Sequence, residues 1–201
     1  MRVVDGSVVN DRSERAALPD ILDCDLVLNA ADNAWPRHVL DEAAFTHLIP
    51  MVNGGSNLKI AKDGGFRNDA RCEITPTEPS HQCWECHELY TETEVGAEEA
   101  GGGLDEGYVD DPHREPPDIV DDDEPAEAVM ETNQIVAGKM VVRLKAFILG
   151  VARETGLQQY RPREGIIEWE DFGCDADCSR IDRTAAGDTV YIRSGRDPNI
   201  E

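Results

Sequence analysis

Six cysteines carry the most chemical potential in this sequence, and four of them come in tight pairs. Cys83-Trp84-Glu85-Cys86 is a C-x2-C pair. Cys174-Asp175-Ala176-Asp177-Cys178 is a C-x3-C pair that begins 88 residues after Cys86. Each pair sets two thiolates about one ion width apart, and two pairs complete the tetrahedron that zinc prefers. Both lie among turn-forming residues, where a metal knuckle can form. A redox C-x2-C, or unrelated thiols, are the other readings. An ion held by Cys83, Cys86, Cys174 and Cys178 leaves no open position, so it is structural and not catalytic. It would close the loop between the pairs and pin the C-terminal segment to the rest of the chain. Cys24 falls inside a predicted strand and reads as core. Cys72 sits near a strand end beside Arg71, whose charge can lower a thiol pKa. It is either an acyl-accepting nucleophile or a plain structural cysteine.

A second constellation is Asp32-Asn33, directly after a short apolar run. In an open α/β sheet, ligands bind at the carboxyl ends of strands. A carboxylate there can organise magnesium and phosphates, and the next helix N-terminus attracts anions. Arg37 lies one turn into that helix. The plainer alternative is that Asp32 only caps the helix.

The elements that position these residues follow from periodicity. Asp25-Leu26-Val27-Leu28-Asn29-Ala30 predicts a strand buried on both faces. Trp35, Val39, Leu40, Ala43, Ala44 and Leu48 recur at helical spacing, with Pro36 in the first turn and Asp32 or Asn33 as N-cap. Ile49-Pro50-Met51-Val52-Asn53 predicts a second strand, stopped by Gly54-Gly55. Strand, helix and strand within about 30 residues make a βαβ unit and a parallel sheet. Leu58 to Ala61 and Ala70 to Ile74 predict a hairpin about Asp63-Gly64-Gly65. A long helix runs from Pro125 to about Glu154. Its broad apolar face includes Val136, Met140, Val141, Phe147, Ile148 and Val151, and Gly156 ends it. Short strands and turns follow from residue 160.

The chain has 201 residues, with 42 acidic and 19 basic side chains and a net charge of −23. Such a balance excludes a basic nucleic-acid footprint and electrostatic docking on anionic membranes. Residues 92 to 127 hold 15 of the acids and one base, Arg114, with Gly101-Gly102-Gly103 and four prolines. Their composition predicts a mobile acidic loop over 92–124. The remainder is still acidic, and only Lys59, Lys62, Lys139 and Lys145 are lysines, a balance that resembles a salt-adapted surface. No apolar run approaches 18 residues and no signal-peptide pattern opens the chain, so a cytoplasmic protein is expected.

Leu22 to Asn33, followed by Arg37, resembles the second half of a ThiF/MoeB/HesA-type domain, the adenylating fold of ubiquitin-activating-like enzymes. That family's pattern is a hydrophobic strand ending in Thr-Asp-Asn, then three residues and Arg. Ala31 stands in place of the Thr, while Asp32, Asn33 and Arg37 match. The next helix and strand match, and so do the order of the first cysteine pair, the helix around Glu131 to Ala137, and Cys174 and Cys178. The resemblance covers roughly residues 15 to 180. It implies an α/β, partial Rossmann-like domain with a mainly parallel sheet, a long C-terminal helix and a four-cysteine zinc knuckle. Residues 1–91 would be the C-terminal half of the nucleotide-binding layer with the first zinc pair. Residues 125–201 would carry the long helix and the second pair. The implied activity is ATP- and Mg2+-dependent adenylation of the C-terminal carboxylate of a ubiquitin-like or sulfur-carrier protein. Asp32 and Asn33 would bind the magnesium and phosphates, Arg37 would support the site, and Cys72 would be the acyl acceptor in members that use one. The family's G-x-G-x-x-G loop does not precede Asp32. The expectation is therefore a half-domain completed by a missing N-terminal portion, by a homodimer, or by a partner supplying that loop. The other expectation is a non-catalytic zinc-stabilised subunit that recruits a carrier protein or an active partner.

Overall fold

In a computed structural model, the described residues are 7–9, 17–55, 73–77, 82–87, 89–100, 125–151, 156–161, 165–170, 173–175, 177–189 and 192. In chain order the elements are α1 (Leu18–Leu22), β1 (Val27–Asn29), α2 (Ala34–His47), β2 (Met51–Gly55), β3 (Glu73–Thr77), α3 (Glu92–Glu99), α4 (Pro125–Leu149), β4 (Leu157–Arg161), β5 (Ile166–Glu170) and α5 (Ser179–Arg183). A 3-10 turn follows at Gly187–Thr189. The protein is mixed α/β.

The five strands form one sheet in the order β1-β2-β3-β4-β5. β1 and β2 pair in parallel, with Val27 opposite Met51 and Asn29 opposite Asn53, as the βαβ pattern requires. The other three pairings are antiparallel. The expected mainly parallel sheet is thus corrected to one parallel pair. After β2 the chain comes back alongside it, antiparallel, as β3. The predicted hairpin about Asp63 lies outside the described residues, apart from the stretch that enters β3.

Two side-chain layers hold the sheet. On one face, Trp35, Val39, Leu40, Ala43 and Ala44 of α2 pack with Leu18, Ile49, Met51, Trp84, Tyr90 and Val95. On the other, Val52 of β2 meets Val136 and Met140 of α4. Alternation along β2 sends Met51 to the first layer and Val52 to the second. Gly54 faces α4, where a Cβ would stand 2.2 Å from the Met140 sulfur and 2.7 Å from Val136 Cγ1. Glycine there lets the helix lie close against the strand.

Several local expectations change. β1 is not buried on both faces: it is an edge strand with Leu28 41% exposed. Cys24 is exposed between α1 and β1 and donates its S–H to the Asp20 carbonyl at 3.3 Å, so it is not core. Leu48 does not join the α2 face but closes the helix in a left-handed conformation (φ 56°), with its N–H and that of Ile49 on the Ala44 carbonyl. α4 begins at Pro125 as expected but ends at Leu149, because Gly150 takes φ 63° and turns the chain earlier than Gly156. Residues 92–99, expected within the acidic loop, form α3. Thr91 accepts from the Glu94 N–H at 3.2 Å, and the Glu94 carboxylate accepts from the Thr91 N–H at 2.8 Å. This reciprocal capping box fixes a helix in spite of the acidic composition. Residues 101–124 lie outside the described residues. No described helix is long and apolar enough to cross a membrane.

Candidate metal centre and its surroundings

Cys83 and Cys86 bracket a tight turn, and Cys174 and Cys178 lie just ahead of α5. The four sulfurs come together, all within 4.8 Å of one another. Cys83 and Cys178 are 3.6 Å apart. Tetrahedral zinc with sulfur at about 2.3 Å requires sulfur–sulfur distances of about 3.8 Å. Backbone N–H groups already point at the sulfurs: Cys83 N–H donates to Cys174 Sγ at 3.0 Å, and Cys86 N–H to Cys83 Sγ at 3.4 Å. Such bonds orient thiolates for a metal. None of the four is in a disulfide.

Crowding and burial make Cys83 and Cys86 poor acids on their own. The shared hydrogen bond with Cys174, burial and the charge of Asp41 push Cys83 well above the ordinary thiol range. Burial first, then neighbouring Cys83 and Cys178, pushes Cys86 up to about 12. A cation beside Cys83 and Cys86 would favour their thiolates. The donor set therefore fits a soft divalent metal, and the cluster can hold an ion such as zinc.

The knuckle is fastened to α2 by a buried polar network. Trp84 is fully buried against the helix. Its backbone N–H donates to Asp41 Oδ1 at 3.2 Å, and the Tyr90 hydroxyl donates to Asp41 Oδ2 at 2.9 Å. Arg180, two residues after Cys178, donates through Nε to Asp41 Oδ2 at 3.5 Å. Its Nη2 reaches His38 Nδ1 at 3.0 Å, the Tyr90 oxygen at 3.3 Å and Glu85 at 3.6 Å. Arg183 pairs with Glu42, the residue after Asp41 in α2. Complete burial pushes the Asp41 carboxyl upward, against the pull of Arg180 and of the Trp84 and Tyr90 donors. Burial also disfavours the charge on Arg180, but Tyr90 and Asp41 outweigh it and hold the guanidinium protonated. One carboxylate therefore joins α2, the first cysteine turn and the helix that follows the second pair.

His38 gives this network a pH signature. Burial, then the charges of Arg180 and Arg183, hold its pKa down to about 4. Neutral His38 accepts the Arg180 bond at Nδ1, so its proton sits on Nε2. The folded value lies below the unfolded value of about 6.5, so the unfolded chain binds more protons between them. Its contribution is present in full above pH 6.5 and is lost as pH falls toward 4. His38→Gln, which keeps an acceptor, should show a shallower fall in melting temperature between pH 6.5 and 4.5 than the parent. Parallel melting curves for the two proteins would count against this account.

The strand-end residues occupy a different end of α2. Asp32 is exposed just beyond the carboxyl end of β1. Asn33 is the N-cap residue, but its side chain makes no capping bond. Glu98 of α3 caps the helix in its place: Oε1 accepts from the Ala34 N–H at 2.9 Å and Oε2 from the Trp35 N–H at 2.8 Å. A carboxylate is favourable at that positive helix end. Arg37 donates through Nε to the Ala31 carbonyl at 2.8 Å and through Nη1 to the Leu89 carbonyl at 3.1 Å. It braces the loop after β1 against the segment after the first cysteine pair. Behind them, Asn29 Nδ2 donates to Asn53 Oδ1 at 2.8 Å across the parallel strands. Glu98→Ala should cost about 1 kcal/mol in urea unfolding, and Glu98→Gln less, because one acceptor remains. Cys72 lies outside the described residues.

The structure thus brings the four paired cysteines together, and it groups Asp32, Asn33 and Arg37 at the α2 N-terminus. Asp41, Arg180, Tyr90, His38 and Glu98 were not singled out from sequence. Two signals for them exist: His38, Asp41 and Glu42 recur at helical spacing along α2, and Arg180 and Arg183 follow Cys178 in a base-poor chain. No family model and no curated protein matches this chain.

Proposed function

We propose that this protein is a zinc-stabilised subunit of ThiF-type carboxylate activation, acting on the C-terminus of a ubiquitin-like or sulfur-carrier protein. The observation that carries the reading is the joint order of two features. Asp32-Asn33 stands between the end of a parallel strand and α2, and two distant cysteine pairs downstream meet in one tetrathiolate-sized cluster. In this reading Cys83, Cys86, Cys174 and Cys178 hold a structural zinc ion. The exposed Asp32 carboxylate is a hard oxygen ligand suited to the magnesium that accompanies ATP, which screens the phosphate charge when bound. Arg37 keeps the loop carrying Asp32 in place through its two carbonyl contacts.

The reaction is the attack of a carrier carboxylate oxygen on the α-phosphorus of ATP. A new phosphorus–oxygen bond forms, the bond to the β-phosphate oxygen breaks, and pyrophosphate leaves. Alignment and charge stabilisation supply most of such catalysis. The phosphate-cradling glycine loop is not among these 201 residues, so it must come from another polypeptide segment. Pyrophosphate exchange into ATP is the test, run with a carrier protein and a glycine-loop chain added. Exchange that disappears in Asp32→Ala supports the reading; no exchange with every component present overturns it.

One observation favours a second reading, a non-catalytic subunit that recruits a carrier or an active partner. Glu98 already occupies the two N–H groups at the α2 N-terminus that a phosphate would use. Carrier binding without exchange, unchanged in Asp32→Ala, is its signature.

A further inference from the structure

Both residues inside the first cysteine turn are held from the second. Trp84 and Glu85 lie between Cys83 and Cys86, and Arg180 follows Cys178 by two positions. The Trp84 N–H donates to Asp41 Oδ1 at 3.2 Å, and Asp41 Oδ2 accepts from Arg180 Nε at 3.5 Å. Arg180 Nη2 stands 3.6 Å from the Glu85 carboxylate. One buried guanidinium therefore reaches from beyond the second pair to both middle positions of the first. Its planar fork presents several fixed donors, so it serves two carboxylates at once, where an ammonium is a single point charge on a flexible stem.

The sulfurs are tied across the pairs in the same sense. The Cys83 N–H donates to Cys174 Sγ at 3.0 Å, and the Asp175 backbone N–H donates to the Cys86 sulfur. Each pair thus gives a donor to the other pair's sulfur. Such bonds form only when the two turns already face one another, and no disulfide joins the turns. The charge of Arg180 acts in the same direction. A zinc tetrathiolate is a dianion, and Glu85, Asp175 and Asp177 place three more acids between the paired cysteines. Arg180 is the buried cation bonded to this acidic surround through Glu85.

We infer that Arg180 is a positioning residue for the metal: it holds the second cysteine pair opposite the first before the ion arrives, and so sets the affinity of the site. Apparent affinity is the intrinsic affinity reduced by the fraction of chains whose ligands already face each other. Partners that orient metal ligands from behind are worth about 10–100-fold in affinity. The inference rests on the metal assignment and needs no ATP chemistry. It concerns the folded, metal-free chain, and so goes beyond what the ion pair contributes to stability.

Titration of the full, metal-free chain with Co2+ in competition with a chelator tests this, because thiolate-to-cobalt charge-transfer absorption reports ligation directly. The decisive variant is Asp41→Leu with Arg180→Met, which removes the tie without stranding a buried charge. Its affinity should fall about 10–100-fold, with the tetrathiolate spectrum unchanged at saturation. Arg180→Lys keeps the charge but gives up the fork, and should lose several-fold. Val136→Ala lowers stability from the α4 face of the sheet and should leave affinity unchanged. Parent affinity in the double variant overturns the inference. A loss in Val136→Ala equal to that of the double variant overturns it too, since affinity would then follow stability alone. If the double variant does not fold, Arg180→Lys decides, and parent affinity there overturns the inference. A parent chain that gives no thiolate–cobalt spectrum overturns the metal assignment itself, and this inference with it.

Discussion

A strong chelator should release one zinc ion per chain and lower the unfolding midpoint by roughly 10–30 °C. The size follows from where the ligands sit. Cys83 and Cys178 lie 95 residues apart in sequence, and an ion held by the cluster would join them along with Cys86 and Cys174. Without it, the second pair is held against the first by Arg180, through Asp41 and Glu85, and by no bond between the cysteines themselves. Structural zinc contributes about 10–16 kcal/mol of apparent binding free energy in small domains. Here the apolar layers around α2 persist, so partial unfolding of 173–189 is expected before global unfolding. Cys178→Ser should reproduce the chelated state. Metal analysis with thiol titration is the check: Cys24, exposed, reacts at once, and the four cluster thiols react only after chelation. Immediate reaction of all four in untreated protein would sink the metal assignment.

Replacing Arg180 with Ala should cost about 3–5 kcal/mol, because it leaves the Asp41 carboxylate buried without its cation. The mechanism differs from a lost surface ion pair, which is worth less than about 1 kcal/mol. Asp41 and Arg180 are both nearly inaccessible, and each holds other partners in place through Tyr90 and His38. Asp41→Asn should cost less than Arg180→Ala, since the amide keeps an acceptor and carries no charge to strand. The combination of Asp41→Leu and Arg180→Met should recover part of the loss, as paired apolar replacements of buried ions do. Urea unfolding of the two single variants and the double variant gives the coupling. Additive costs would mean the two groups act separately.

Local signals in the sequence carried much of this architecture. The βαβ unit followed from the apolar run ending at Ala30, the helical spacing from Trp35 to Ala44, and the second run at Met51. The metal cluster followed from pair spacing, because ligand geometry constrains sequence directly. What escaped depends on distance or on competing local cues. Nothing at Asp41 announces a partner 139 residues away. Cys24 sits beside an apolar run, yet the strand begins only at Val27, and three residues decide between core and surface. α3 was hidden by composition: acid density argued for a loop, while Thr91 and Glu94 held the stronger local cue. Sheet direction after β2 was also unreadable: the turn signal at Asp63-Gly64-Gly65 predicts a hairpin between 58–61 and 70–74, and nothing in it says that Glu73–Thr77 pairs with β2 itself.

The long separation between Asp41 and Arg180 also orders events in time. At 5–20 residues per second, a ribosome needs roughly 7–28 s to travel from one codon to the other. Once Tyr90 is made, α2 and Trp84 already exist, but the cation that neutralises Asp41 follows only 90 residues later. Burying Asp41 as a carboxylate is costly meanwhile, and burial of its neutral, protonated form is favoured until Arg180 arrives. Arg180 and the last two cysteines are made within seven residues of one another. Charge neutralisation and metal capture therefore become possible almost together.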